Sequence, residues 1–333
     1  MTPFVATQIQ AIIEDIRLLE VFITAPLGLY SDIKMLRESI PLPEAAELSR
    51  EKLRQRRTSL STLTEVPQDL TLSTISSIST SLDALEVTKG EGGSPLTNEW
   101  MAQARRVLNR AQRKIAADLR INTASKVQGV YVILDPEATN GRPVVDIAKA
   151  VLQGGANVIQ LRDKNHDKGK ILSTSIQIKS LCDQYNALFI LNDHPDLAIS
   201  SNSHGVHLGQ SDFPVTNARR ILLRHQIIGT SNNSVQEAME SQADEVDYMA
   251  VGAIFPTSTS GKIDRPTVGT ELVAEIKNLV IQPIVAIGGI NARNVAKVVQ
   301  AGADCICVIS HVTLADDPQS ATHNLIKAIQ NAQ

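Results

Sequence analysis

From Val127 to the C-terminus, short β-rich runs alternate with helical patterns, and this alternation constrains the fold more than any other feature of the chain. The runs lie at 129–134, 157–161, 187–191, 205–208, 227–230, 247–254, 283–287 and 304–309. Helical patterns separate them at 143–153, 168–185, 214–224, 234–242, 271–280 and 292–300. Eight strand-plus-helix units within 126–333 predict an α/β domain, a compact (β/α)8 TIM barrel. A doubly wound open sheet would want a glycine fingerprint after its first strand, and Leu134-Asp135-Pro136 offers none. In such a barrel the site is built at the C-terminal strand ends.

The polar residues gather there. The second strand ends in Gln160-Leu161-Arg162-Asp163-Lys164. Residues two apart share a strand face, so Gln160, Arg162 and Lys164 project together. No carboxylate of this pentapeptide shares their face. Cations at an apolar mouth are costly to desolvate unpaired, so a phosphate or pyrophosphate is the natural partner. A solvated strand end would look the same.

The later strands run into Asn192-Asp193, Gly209-Gln210-Ser211-Asp212, Thr230-Ser231-Asn232 and the loop Pro256 to Lys262. The last two run into Gly288-Gly289, with Asn291 at a helix start, and Ile309-Ser310. Asp193 and Asp212 are hard oxygen donors on adjacent loops, a set that suits Mg²⁺ held with substrate phosphate oxygens. The plain alternative is two helix caps. Gly288-Gly289 and Ser310 fall where barrels of this kind bind phosphate on backbone N–H groups, and a tight turn is the alternative. Thr257 and Thr259 add hydroxyl donors. One anion site is rich in cations and metal ligands and the other in neutral donors, so two small phosphorylated substrates would fill them.

Residues 1–125 read as a separate, small all-α domain. Apolar positions recur at helical spacing over 7–25, and further helices are expected at 31–39, 44–57 and 98–120. The Ser/Thr-rich tract at 58–81 reads as linker, with a helix allowed in its second half. Ile16 to Val21 echoes Leu82 to Val87, which suggests two copies of a helical hairpin packed as a bundle. Arg105, Arg106, Arg110, Arg113 and Lys114 make a positive helix, read as a solvated face before a nucleic-acid surface. No chemistry is assigned to this third.

Composition narrows the partners. Aromatics are 3% and the net charge is −3, so neither stacking platforms nor a basic footprint for nucleic acid is present. Cys182, Cys305 and Cys307 fit a reduced cytoplasmic protein. Glu14, Asp15 and Arg17 interrupt the first apolar segment, which therefore reads as neither signal peptide nor membrane span. Self-association into a homo-oligomer is compatible with the sequence.

Ordered motifs carry a resemblance: Q-L-R-D-K at 160–164, L-N-D at 191–193, G-V-H-L-G-Q-S-D at 205–212, V-G-A-I-F-P-T-S-T at 251–259, A-I-G-G-I at 286–290 and V-I-S at 308–310. From about 127 to 333 the chain resembles the thiamine phosphate synthases, which are (β/α)8 barrels. The preceding residues look like a degenerate form of the helical extension on some bacterial synthases. The resemblance implies joining of hydroxymethylpyrimidine diphosphate to a thiazole phosphate, with release of pyrophosphate, through a pyrimidine-methyl cation. It implies that Gln160, Leu161, Arg162, Asp163, Lys164, Asn192, Ser231 and Ser260 line the diphosphate site. It places Mg²⁺ on Asp193 and Asp212. The thiazole phosphate would lie on Thr257, Ser258, Thr259, Gly288, Gly289, Ile309 and Ser310. Arg162, Lys164 and a loop lysine would carry the catalytic charge.

There are departures. The family's loop lysine follows T-x-T directly, where this chain has Ser260; Gly261 would let Lys262 take its place. Asn233-Ser234 stand where the family has His-Thr, Ala253 where it has Pro, His204 where it has Asp and His311 where it has Ala. His194, His204 and His311 are expected near the mouth as solvated residues. Two other functions compete: a thiazole tautomerase on the same barrel, and a catalytically impaired barrel with a binding or regulatory role. The intact Arg162, Lys164, Asp193 and Asp212 set argues against the tautomerase, and Ser260 is the best support for the impaired barrel.

Overall fold

A computed structural model describes residues 2–23, 29–41, 68–87, 96–257 and 266–333. The chain divides into two compact units, Met1–Leu119 and Arg120–Gln333.

The first unit is helical. Its elements are α1 (Pro3–Phe22), α2 (Tyr30–Glu38), α3 (Gln68–Val87) and most of α4 (Asn98–Ala124). Thr2 caps α1, its side chain accepting from Val5 N, and a proline stands in the first turn, where no N–H is needed. The echoing positions Ile16, Leu19, Leu82 and Leu85 are all fully buried in one core with Ile33, Leu36 and Trp100. Trp100 Nε1 donates to Leu36 O at 3.3 Å, so α4 meets α2 through a bonded indole. The Ser/Thr tract is helical from Gln68 because Ile75, Ile78, Leu82 and Leu85, at helical spacing, are fully buried in this core, while its hydroxyls bond back along the helix: Thr74 to Leu70 O at 2.8 Å, Ser79 to Ile75 O at 3.0 Å. The positive stripe is partly neutralised within the unit. Arg105 pairs with Asp83 and Glu86, and Arg110 with Asp32. The helix expected at 44–57 lies outside the described residues. No helix among the described residues is long and apolar enough to cross a membrane.

The second unit is a closed barrel of eight parallel strands in sequence order. These are β1 (Gly129–Leu134), β2 (Val158–Leu161), β3 (Leu188–Asn192), β4 (Gly205–Leu208), β5 (Ile227–Asn232), β6 (Tyr248–Val251), β7 (Ile284–Ile287) and β8 (Cys305–Val308). The run expected at 247–254 stops at Val251. Helices follow in the predicted places, among them Pro195–Ser200 after Asp193, joined by two that the periodicity leaves unseen: Ser310–Thr313 and Pro318–Gln330. The helix expected from Asn291 starts at Val295; Asn291 instead makes a turn, accepting from Arg293 N at 2.9 Å.

Alternation along each strand splits the apolar residues into two cores. Val130, Val132, Ile159, Leu161, Phe189 and Leu191 face the helices. Tyr131, Ile133, Val158, Leu188, Ile190, Tyr248 and Cys305 fill the barrel. Gly229 makes room for one of them: a Cβ there would lie 1.9 Å from the Tyr248 ring.

The N-terminal end of the barrel is closed by a repeated device. The residue just before each even strand accepts a hydrogen bond from a backbone N–H of the strand before it. Asn157 accepts from Val130 N at 3.1 Å, His204 from Phe189 N at 2.9 Å, Asp247 from Ile228 N at 2.7 Å and Asp304 from Ile284 N at 2.8 Å. This corrects the placement of His204: it stands at the base, not near the mouth. Its Nδ1 accepts, so the ring must be neutral there. Burial pushes its pKa down to about 4, against the pull of Asp183 at 3.8 Å. Asp247 is also held by Arg219 at 2.6 Å and Arg120 at 3.2 Å.

Candidate active site

At the C-terminal mouth the strand ends enclose a cavity of about 250 Å³. Ile133, Ala250, Ile287 and Cys307 form an apolar part of its wall. Strands β2 to β4 bring the charged residues. Gln160, Arg162 and Lys164 all reach the cavity, as strand alternation requires. Leu161 and Asp163 do not. Leu161 is fully buried among the residues facing the helices. Asp163 folds the following loop, its Oδ1 accepting from Asn165 N at 3.2 Å and His166 N at 3.1 Å.

Both cations find carboxylates on neighbouring strands, which the pentapeptide alone does not reveal. Arg162 pairs with Asp135, a residue 4% exposed at the end of β1. Leu134 lies beside Leu161 in the β1–β2 register, so the two following segments run together. Lys164 Nζ lies 3.3 Å from Asp193 Oδ2. Gln160 Nε2 donates to Asn192 Oδ1 at 3.1 Å.

Asp193 and Asp212 meet at the mouth. Asp193 is not the cap of the next helix, whose cap is His194; it sits in the left-handed region at φ 61°. Asp212 Oδ2 accepts from Gly209 N at 2.7 Å. Burial raises the Asp193 pKa, and a hydrogen bond to Asp212 adds to this. Burial works against ionisation of Asp212 too, but the bonds from Asp193 and Gly209 N–H prevail and hold it low. The two carboxylates are thus shifted in opposite directions, with the Lys164 ammonium favouring ionisation of both.

Strands β4 to β6 supply a feature that sequence reasoning missed. His207 lines the cavity and links Ser231 to the barrel interior. Its Nε2 lies 3.0 Å from Ser231 Oγ and its Nδ1 lies 3.1 Å from the Tyr248 hydroxyl. Burial pushes the His207 pKa down to about 4. The signal was present in the alternation of β4, which turns His207 inward between the outward Val206 and Leu208. Asn233 also lines the cavity, whereas Thr230 and Asn232 turn outward to Ser241.

Across the mouth, β7 and β8 present mainly backbone. Gly288 and Gly289 have φ of 106° and 64°, and a Cβ on either would lie 2.6 Å from the chain at Ala253 and Pro256 respectively. Only glycine fits such a turn. Ile309, Ser310 and His311 complete that wall with Thr257. Ser258, Thr259, Ser260 and Lys262 lie outside the described residues.

Residues 130–312 match the family model described as thiamine monophosphate synthase. A thiamine-phosphate synthase of Shouchella clausii is 40% identical over 203 residues, 61% of this chain and 97% of that protein. One from Methanospirillum hungatei is 42% identical over 194 residues, 58% of this chain and 94% of that protein. Among solved structures, the thiamine phosphate pyrophosphorylase of Pyrococcus furiosus superposes with a TM-score of 0.58 at 35% identity, covering 63% of this chain and 99% of that one.

Proposed function

The chain belongs to the thiamine monophosphate synthase family, and from that premise we propose how its own residues divide the work. Its reaction joins 4-amino-5-hydroxymethyl-2-methylpyrimidine diphosphate to thiazole phosphate, giving thiamine phosphate and pyrophosphate. The C–O bond breaks with both electrons leaving on the pyrophosphate, and the thiazole nitrogen lone pair closes the new C–N bond. Neither reacting atom loses a proton, so the site needs no general base. The neutral His207 deep in the cavity accords with that.

The charged side of the mouth takes the diphosphate. Gln160 and Asn192 orient the pyrimidine end, and Arg162 and Lys164 meet the phosphoryl oxygens. Negative charge grows on those oxygens as the bond breaks, so fixed cations favour the transition state over the ground state. Asp135 holds the Arg162 guanidinium in place from behind.

The donor set at Asp193 and Asp212 fits Mg²⁺: two hard carboxylates that meet at the mouth would both be favoured as anions beside a dication. Bound there, the ion would supply charge neutralisation to the departing pyrophosphate. Across the mouth, the backbone at Gly288, Gly289, Ile309 and Ser310 would receive the thiazole phosphate with Thr257. The loop residues Ser258 and Thr259 would join it, and Ser260 and Lys262 the diphosphate side. A cytoplasmic location is consistent with three buried, unpaired cysteines.

One observation carries this reading: cations and carboxylates gather at β2 to β4, neutral backbone donors at β7 and β8, with an apolar wall between. The test is pyrophosphate release by the full chain. Release is expected only when both substrates and Mg²⁺ are present; release independent of the thiazole phosphate would sink the assignment.

A further inference from the structure

The cavity wall at Ser231 continues inward as a chain of four side chains. Ser231 Oγ meets His207 Nε2 at 3.0 Å, His207 Nδ1 meets the Tyr248 hydroxyl at 3.1 Å, and Tyr248 meets the Tyr131 hydroxyl at 3.2 Å. Tyr131 is 2% exposed and Tyr248 is 0% exposed. With a neutral imidazole, the hydrogens along this chain can point one of two ways.

In the inward direction, Ser231 donates to Nε2, the Nδ1–H donates to Tyr248, and Tyr248 donates to Tyr131. The Tyr131 O–H is then buried with no further hydrogen-bond acceptor among the described residues, which carries the full desolvation cost of a donor. In the outward direction, Tyr131 donates to Tyr248, Tyr248 donates to Nδ1, and the Nε2–H donates to Ser231 Oγ. Every buried donor is then bonded. The hydrogen left over is that of Ser231, which faces the cavity.

We propose that the buried Tyr131–Tyr248 pair fixes His207 as the Nε2–H tautomer and so makes Ser231 a one-way hydrogen-bond donor into the cavity. Tyr131, Tyr248 and His207 are positioning residues, and Ser231 is the group that touches ligand. A serine whose oxygen already accepts from an imidazole N–H is a strengthened donor. The ligand atom opposite it must be a hydrogen-bond acceptor. On the diphosphate reading above, on which only this last identification rests, that atom is an anionic phosphoryl oxygen.

The experiment uses the full chain labelled with ¹⁵N-histidine. The His207 signals, identified by their loss in His207→Gln, should show a protonated Nε2 and a bare Nδ1 at neutral pH. A protonated Nδ1 overturns the proposal. This arm needs no substrate, so it can fail while the assigned reaction stands, and inactivity of the wild-type chain would count against the reaction instead. In kinetics, Ser231→Ala should lower kcat/KM for the pyrimidine diphosphate about tenfold, the size of one hydrogen bond to a charged group. His207→Gln can still offer an N–H to Ser231 and should stay within about threefold of wild type, whereas His207→Met, of similar size but no donor, should fall as far as Ser231→Ala. Equal losses in the Gln and Met variants would make His207 a space-filler and overturn the proposal.

Discussion

His204 just precedes the short strand β4 and His207 lies near its far end, and burial depresses both to about 4. They do different work. At the base, His204 spends its bare nitrogen on the Phe189 amide. Its counterparts Asn157, Asp247 and Asp304 do the same for other strands. At the mouth, His207 bonds side chains that end at the cavity. The two histidines are the same residue type, and their shifts are alike. What separates the two sets is where their bonds lead: each base residue accepts from a strand amide, whereas the chain through His207 ends at the open cavity.

Substitutions at the two ends should therefore separate stability from turnover. The largest effect is expected for Asp212→Asn. Loss of a carboxylate beside the leaving group should cost several kcal/mol of transition-state stabilisation, on the order of a thousandfold in rate. Its thermal midpoint should stay near wild type, since asparagine keeps an oxygen acceptor for the Gly209 amide. A variant that unfolds, or one that turns over normally at low Mg²⁺, would erase the distinction from the mouth side.

At the base, Asp247→Ala should do the reverse. It strips the partner from Arg120, Arg219 and the Ile228 amide together. Breaking a buried ion pair on one side costs about 3–5 kcal/mol. The unfolding free energy from denaturant titration should drop by that amount while kcat of the folded protein is unchanged; a fall in kcat with stability intact would refute the division.

His204→Asn is a finer probe. An unfolded histidine titrates near 6.5 and His204 near 4, so as pH falls the unfolded chain takes up the proton first. The contribution of His204 is thus complete above pH 6.5 and lost between 6.5 and 4. Asparagine keeps the acceptor, as Asn157 does, and should remove on the order of 2 kcal/mol of acid sensitivity across that window. Parallel stability–pH curves for variant and wild type would mean that the ring titrates normally. The smallest effect is expected from deleting the first unit: a chain beginning at Arg120 should unfold cooperatively and keep kcat within about threefold. Aggregation of that fragment would show that the boundary is misplaced.

The barrel was legible because alternation of period 2 with period 3.6 is a local signal, and it held at every strand. The mouth residues Gln160, Arg162, Lys164, Asn192, Asp193, Asp212 and Ser231 were legible for the same reason: they stand at strand ends. What the sequence hid depends on which strands are neighbours. Asp135 meets Arg162, and Tyr248 meets Tyr131 and His207, only after the sheet closes. His204 was misplaced because a polar residue beside a four-residue strand does not declare which end it occupies. Leu161 and Asp163 entered the site by adjacency in a motif, although alternation turns them away.

The acceptors at the base also divide the barrel into modules. Each clip joins an odd strand to the even strand that follows it, so β1–β2, β3–β4, β5–β6 and β7–β8 are each pinned by their own side chain. The joints between pairs lack this device among the described residues. New chain ends are tolerated best where few bonds cross the cut. A circular permutant opened between two clipped pairs should thus refold more readily than one opened inside a pair.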